Sequence, residues 1–187
     1  LPHLPEAVLE SRHLGLKTAA EIGDLQRKIA VLTDALEQTL DWERFRQGFD
    51  APAPAKPETP QCKPRVRIAI AQDEAFCFAY AETLEALQAA GAELVPFSPL
   101  HDAALPEQIA GLYLPGGYPE LYAEALSRNE TMRVMLRAAV ENGLPTVAEC
   151  GGFLYLGRSL EDTEGRRFPM VGVLPGEGFK VGRLVRF

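Results

Sequence analysis

Apolar residues recur at steps of three and four from Ile22 through Leu25, Ile29, Leu32 and Leu36 to Leu40. That spacing lines one face of a helix and predicts a helix over 21–45, packed on something else. Upstream, Ser11-Arg12-His13-Leu14-Gly15-Leu16 is too apolar for a solvated tail. It reads as the end of a domain that begins elsewhere. The pattern breaks between Ala51 and Pro64, where five prolines fall within fourteen residues. Such a stretch forms neither helix nor central strand and reads as a semi-rigid linker. Residues 1–50 are marginal as an independent domain, whereas 65–187 are of ordinary domain size.

Beyond the linker the period changes. Val66–Ala71 (VRIAIA) is a β-branched strand, and a helix follows around Tyr80–Ala90 with Leu84 and Leu87 inward and Gly91 as its stop. Glu93–Phe97 is a second strand, placed toward an edge by Pro96. Leu112–Leu114 is a third strand, ending at Pro115-Gly116-Gly117. Asn129–Glu141 reads as a helix with an Asn cap and an Asn142-Gly143 stop. Thr146–Ala148 is a fourth strand, and a helix runs from Gly151 to Arg158. Further strands are expected at Phe168–Val173 and Lys180–Phe187. Strands alternating with helices imply βαβ units, hence an open α/β domain with a mostly parallel sheet rather than a barrel.

Composition narrows the class. The 187 residues are 47% hydrophobic and 24% charged, which excludes a disordered or collagen-like chain. No apolar run reaches the roughly 18–20 residues of a membrane span. The start, Leu1-Pro2-His3-Leu4-Pro5, is not a signal peptide and lacks Met, so a piece of a longer chain is expected. A net charge of −7 argues against a nucleic-acid face. Cys62, Cys77 and Cys150 follow no disulfide or zinc spacing, and with only His3, His13 and His101 present no metal site is expected. A reducing cytoplasm fits these cysteines best. Cys77, among Ala75, Phe76 and Phe78, reads as a buried packing residue.

In such sheets ligands sit at the carboxyl ends of strands, and two of those ends carry unusual sequence. At Ala148-Glu149-Cys150-Gly151-Gly152 a strand turns straight into a helix, with cysteine at the corner and glycines behind it. A nucleophile elbow needs those small neighbours, and a helix N-terminus lowers a thiol pKa. A buried structural cysteine is the competing reading. At Leu114-Pro115-Gly116-Gly117-Tyr118-Pro119-Glu120, paired glycines free backbone N–H groups for a ligand, as an oxyanion hole requires. A plain turn competes, but the partner elbow 33 residues on favours the functional reading. No dinucleotide fingerprint or phosphate-binding P-loop is present.

LYLPGGYPELYAEALSRNETM and VAECGGFLYLG resemble the glutamine amidotransferase domain of the cobyrinic acid a,c-diamide synthase family. IAIAQDEAFCFAYAETLEAL and FSPLHDAALPE are similar to the same family's opening strand and following loop, and RHLGL to the end of its ATP-binding, dethiobiotin-synthetase-like domain. The resemblance runs from about Arg12 onward, except for the linker. It implies a flavodoxin-like, class I amidotransferase-type fold with an N-terminal remnant of the synthetase domain. It further implies an enzyme that amidates the a and c acetates of cobyrinic or hydrogenobyrinic acid, with glutamine as nitrogen donor. ATP and Mg2+ would serve the full-length enzyme, and no cofactor is expected in this part. The corrinoid acceptor would bind chiefly through the synthetase domain, and a homodimer is compatible with the pattern. Carried over, Cys150 is the nucleophile, the N–H groups of Gly117 and Gly151 are the oxyanion-hole candidates, and Tyr118 and Glu120 shape the glutamine pocket, with core or surface packing as the competing reading for both.

The resemblance also implies a catalytic histidine downstream of the nucleophile, expected beyond Phe187. His101, in FSPLHD, precedes the nucleophile and is expected to be a solvated loop residue. The lack of a downstream histidine keeps open a non-catalytic binding or assembly module of the same fold. A cysteine-dependent hydrolase or redox sensor on a similar elbow is the remaining alternative.

Overall fold

The computed structural model describes residues 2–9, 11–12, 15–17, 19–48 and 66–180. The chain divides into two compact units, Leu1–Pro57 and Glu58–Phe187. The expected linker Ala51–Pro64 lies outside the described residues, as does nearly all of the strand expected over Lys180–Phe187.

In the first unit, β1 (Ser11–Arg12) pairs antiparallel with β2 (Gly15–Leu16). The single helix expected over 21–45 is instead a 3-10 turn at Ala19–Glu21 followed by α1 (Leu25–Thr39) and α2 (Trp42–Gln47). The division has a local cause. The Asp41 carboxylate accepts the Arg44 N–H at 3.1 Å, which caps a new helix and ends the old one at Leu40. The apolar stripe is present, but neither helix holds a buried residue among those described, and Ile29 and Leu32 stay exposed.

The second unit is built on β3 (Val66–Ala71), α3 (Ala81–Ala89), β4 (Ala92–Phe97) and β5 (Gly111–Leu114). It continues through α4 (Ala123–Arg128), α5 (Glu130–Glu141), β6 (Thr146–Ala148) and α6 (Gly151–Leu156). Strands β3 to β6 form an all-parallel sheet in the order β4-β3-β5-β6. Numbered within the sheet that is 2-1-3-4, the order with which flavodoxin-like doubly wound sheets begin. Strand β4, with Pro96, lies at the edge as its sequence implied.

The core lies mainly on one face. Leu112 and Leu114 of β5 pack with Leu126 of α4, Met132 and Leu136 of α5, and Tyr155 and Leu156 of α6. Alternation along β5 sends Tyr113 to the other face, where only half-buried Leu84 and Leu87 of α3 come down. There an apolar groove of about 500 Å³ is lined by Ile68, Leu87, Tyr113, Val147 and Glu149. At α5, Asn129 caps with its side-chain oxygen on the Met132 N–H at 3.3 Å. Its amide donates to Pro99 O at 2.9 Å and Asp102 O at 2.8 Å, tying the helix start to the loop after β4.

The chain then adds β7 (Ser159–Glu161), β8 (Arg167–Pro169) and β9 (Glu177–Gly178) as a small mixed sheet in the order β8-β7-β9. The strand expected over Phe168–Val173 therefore ends early. Beyond Pro169 the N–H groups of Met170, Val171, Gly172 and Leu174 donate to Arg158, Tyr155, Gly157 and Leu156 carbonyls. The segment satisfies the end of α6 and the turn after it instead of extending the ladder.

Candidate active site

The elbow is assembled from three strand ends. Cys150 has φ 46° and ψ −110°, a conformation that costs a side-chain-bearing residue on the order of 1–3 kcal/mol. It is held from both sides. The Glu149 N–H donates to Leu114 O at 3.0 Å, and the Gly152 N–H reaches both Glu149 O at 2.8 Å and Pro115 O at 3.1 Å. A Cβ on Gly152 would stand 2.2 Å from Leu114 O, so the turn into α6 fits only glycine. Cys150 itself is exposed.

Gly151 and Gly117, distant in sequence, meet here. A Cβ on Gly151 would lie 3.0 Å from Gly117 O, 3.1 Å from Gly117 N and 2.8 Å from Pro119 Cδ. The N–H groups of both glycines make no hydrogen bond among the described residues, which leaves two donors beside the cysteine. The Gly117 loop is fixed by the loop that follows β3: Phe78 N–H donates to Gly116 O at 3.0 Å, and Tyr118 N–H to Ala75 O at 2.9 Å.

Behind that loop stands Asp73, which sequence reasoning passed over. Its carboxylate accepts from the N–H groups of Ala75 (2.9 Å), Phe76 (3.1 Å) and Leu100 (3.0 Å), and from the Ser98 hydroxyl (2.8 Å). The available signal was an acid right after a strand, where Asx turns form. The pair Tyr113–Glu149 was missed too. The Tyr113 hydroxyl donates to Glu149 Oε2 at 2.9 Å. Burial, with the Glu149 hydrogen bond and charge, pushes the Tyr113 hydroxyl up to about 12, so it remains a donor.

Tyr118 and Glu120 are half-buried on the same loop. Glu120 Oε1 is buried without a hydrogen-bond partner among the described residues. Glu120 lines a polar cleft of about 300 Å³ with Glu124, Arg128 and Arg166, and Cys150 is not part of that lining. His101 Nε2 lies 2.9 Å from Glu74 Oε2, whose hydrogen bond and charge raise the imidazole pKa. His101 follows β4 and Cys150 follows β6, three strand spacings apart, or roughly 14 Å.

Cys77 is exposed, which corrects the expectation of burial. Phe76 takes the inward place instead, 1% exposed with its ring 5.3 Å from that of Tyr155. The chain then turns outward so that Phe78 can bridge to Gly116.

A parallel four-stranded sheet flanked by helices, with a glycine-flanked cysteine at a strand end, is the α/β fold of a glutamine amidotransferase-like domain. Residues 67–181 match the CobB/CobQ-like glutamine amidotransferase domain, and the chain belongs to that family. It is 43% identical to the cobyrinate a,c-diamide synthase of Synechocystis sp., over 91% of this chain and 36% of that protein. It is 43% identical to the same-named protein of Caldanaerobacter subterraneus subsp. tengcongensis, over 100% of this chain and 42% of that protein. It is 45% identical to the hydrogenobyrinate a,c-diamide synthase of Stutzerimonas stutzeri, over 98% of this chain and 42% of that protein. The chain thus spans about two fifths of the length of these relatives.

Proposed function

We propose that this chain is the glutaminase portion of a glutamine-dependent ligase that amidates the a and c acetate side chains of cobyrinic or hydrogenobyrinic acid. The observation that carries the glutaminase reading is the meeting of Gly117 and Gly151 at the strained Cys150. The thiolate of Cys150 attacks the side-chain carboxamide carbon of glutamine and forms a C–S bond. The developing oxyanion is held by the two glycine N–H groups. The C–N bond breaks, ammonia leaves with an added proton, and water hydrolyses the thioester to glutamate and thiol. An acceptor carboxylate activated by ATP in the full-length enzyme would take up the ammonia and release phosphate, and the ammonia must reach it sheltered from water, where protonation would end its nucleophilicity.

Tyr118 and Glu120 belong to the glutamine pocket in this reading. His101 does not supply the acid or base, because it is exposed, paired with Glu74 and across the sheet. ATP and Mg2+ are part of the proposal for the full-length enzyme alone. Among the described residues no group of three or more His, Cys, Asp or Glu could hold a metal ion. The proposed location of the full-length enzyme is the cytoplasm, in keeping with cysteines that follow no disulfide spacing. No helix among the described residues is long and apolar enough to cross a membrane.

The test is mass spectrometry after treating the full-length protein with the glutamine analogue diazo-oxo-norleucine. The expected result is one adduct on Cys150, absent in Cys150→Ser and slowed by glutamine. An unchanged adduct in Cys150→Ser overturns the reading.

A further inference from the structure

Glu149 is held at three points. Its N–H is bonded to Leu114 O, its carbonyl accepts from the Gly152 N–H, and its carboxylate accepts from the Tyr113 hydroxyl. The first two belong to the elbow backbone, while the third is a side-chain contact made on the other face of the sheet. The register explains it. Tyr113 is opposite Val147, so the residue two positions beyond Val147 on the same face is Glu149, the diagonal neighbour a long tyrosine can reach. Tyr113 is only 4% exposed, so its hydroxyl has little freedom to choose another partner.

We propose that the Tyr113–Glu149 pair positions Cys150: an anchor on β5 fixes the residue immediately before the nucleophile and so sets the orientation of the thiol. The inference rests on the reading of Cys150 as nucleophile. Two physical facts make such an anchor useful. Strand β6 is three residues long and, among the described residues, pairs only with β5, so few ladder bonds oppose relaxation of a strained corner. The Glu149 side chain is otherwise exposed, so without Tyr113 as partner it is free to leave the face and loosen the residue before Cys150. The Tyr113 hydroxyl keeps it at the groove on the α3 side, whose lining includes both residues. Tyr113 and Glu149 are positioning residues; neither needs to touch glutamine.

The experiment compares two reagents on the full-length protein. Diazo-oxo-norleucine reports thiol placement against the glycine donors, and iodoacetamide reports access to the ionised thiol without them. Tyr113→Phe is expected to slow the glutamine analogue on the order of tenfold while changing iodoacetamide much less. Glu149→Ala is expected to do the same, and Glu149→Gln, which keeps an acceptor oxygen, to restore most of the loss. The double variant Tyr113→Phe/Glu149→Ala is expected to be no worse than either single one, because both remove one interaction. Equal analogue rates in Tyr113→Phe and the parent overturn the inference, as do additive losses in the double variant or equal slowing of both reagents. An adduct that persists in Cys150→Ser instead overturns the nucleophile reading and the inference with it.

Discussion

A methyl group added at Gly152 would collide with Leu114 O at 2.2 Å, whereas the side chain already on Cys150 sits at φ 46° and ψ −110°. The two neighbours therefore respond oppositely to substitution. Gly152→Ala must push α6 away from the end of β5, and overpacking of that kind costs about 1–3 kcal/mol. Cys150→Gly releases backbone strain and is expected to stabilise by about 1 kcal/mol, less than the full strain because glycine gains freedom in the unfolded chain. Thermal denaturation of the two variants beside the parent should show Tm falling in the first and rising in the second. A fall in Cys150→Gly would mean that the corner is not strained.

At the scale of elements, the turn between β7 and β8 is organised by one carboxylate. Asp162 is buried, and desolvation alone would raise its pKa. The Arg166 N–H and guanidinium and the Glu164 N–H outweigh that and hold it below its ordinary value. A depressed carboxylate stabilises the folded state fully above its ordinary value, about pH 4, and loses that contribution as pH falls through the depressed one. Asp162→Asn should therefore lower the urea midpoint at pH 7, with the gap to the parent closing progressively under acid. A gap that is constant with pH would refute the assignment. Strand β7 and helix α4 were not legible in the sequence, whereas β8 overlaps the strand expected over Phe168–Val173. Both missed elements are shorter than the window over which periodicity speaks, and neither carries the β-branched pair of β6 or the glycine pair of α6. The split at Asp41 was legible in principle as a cap, but the longer apolar stripe dominated the reading.

Across the whole second unit, the parallel sheet is unequally covered. All four residues of β5 are buried, whereas Val147 of β6 is 58% exposed. Among the described residues, helices α4 to α6 close one face and α3 alone lies over the other, leaving the apolar groove. Hydrogen exchange should follow that asymmetry. The amides of residues 111–114 are expected to exchange slowest, and those of 146–148 markedly faster, when followed by mass spectrometry on the full-length protein. Uniform protection of both strands would show that β6 is covered there by residues outside those described.

The chain by itself determined the alternation of strands and helices, the edge position of the Pro96 strand and the two glycine-flanked strand ends. Those are consequences of local chemistry: β-branching, ring closure in proline and the lack of a Cβ in glycine act within a few residues. It did not determine that Gly117 and Gly151 touch, that Asp73 braces their loop, or that Tyr113 reaches Glu149. Each of those contacts joins different strands, and strand order and register arise only when the sheet closes its core. Cys77 shows the same limit from the other side. Its neighbours were apolar enough for burial, but the bridge from Phe78 to Gly116 turned the chain outward. Sequence named the glycine-flanked corner, and packing across the sheet decided what surrounds it.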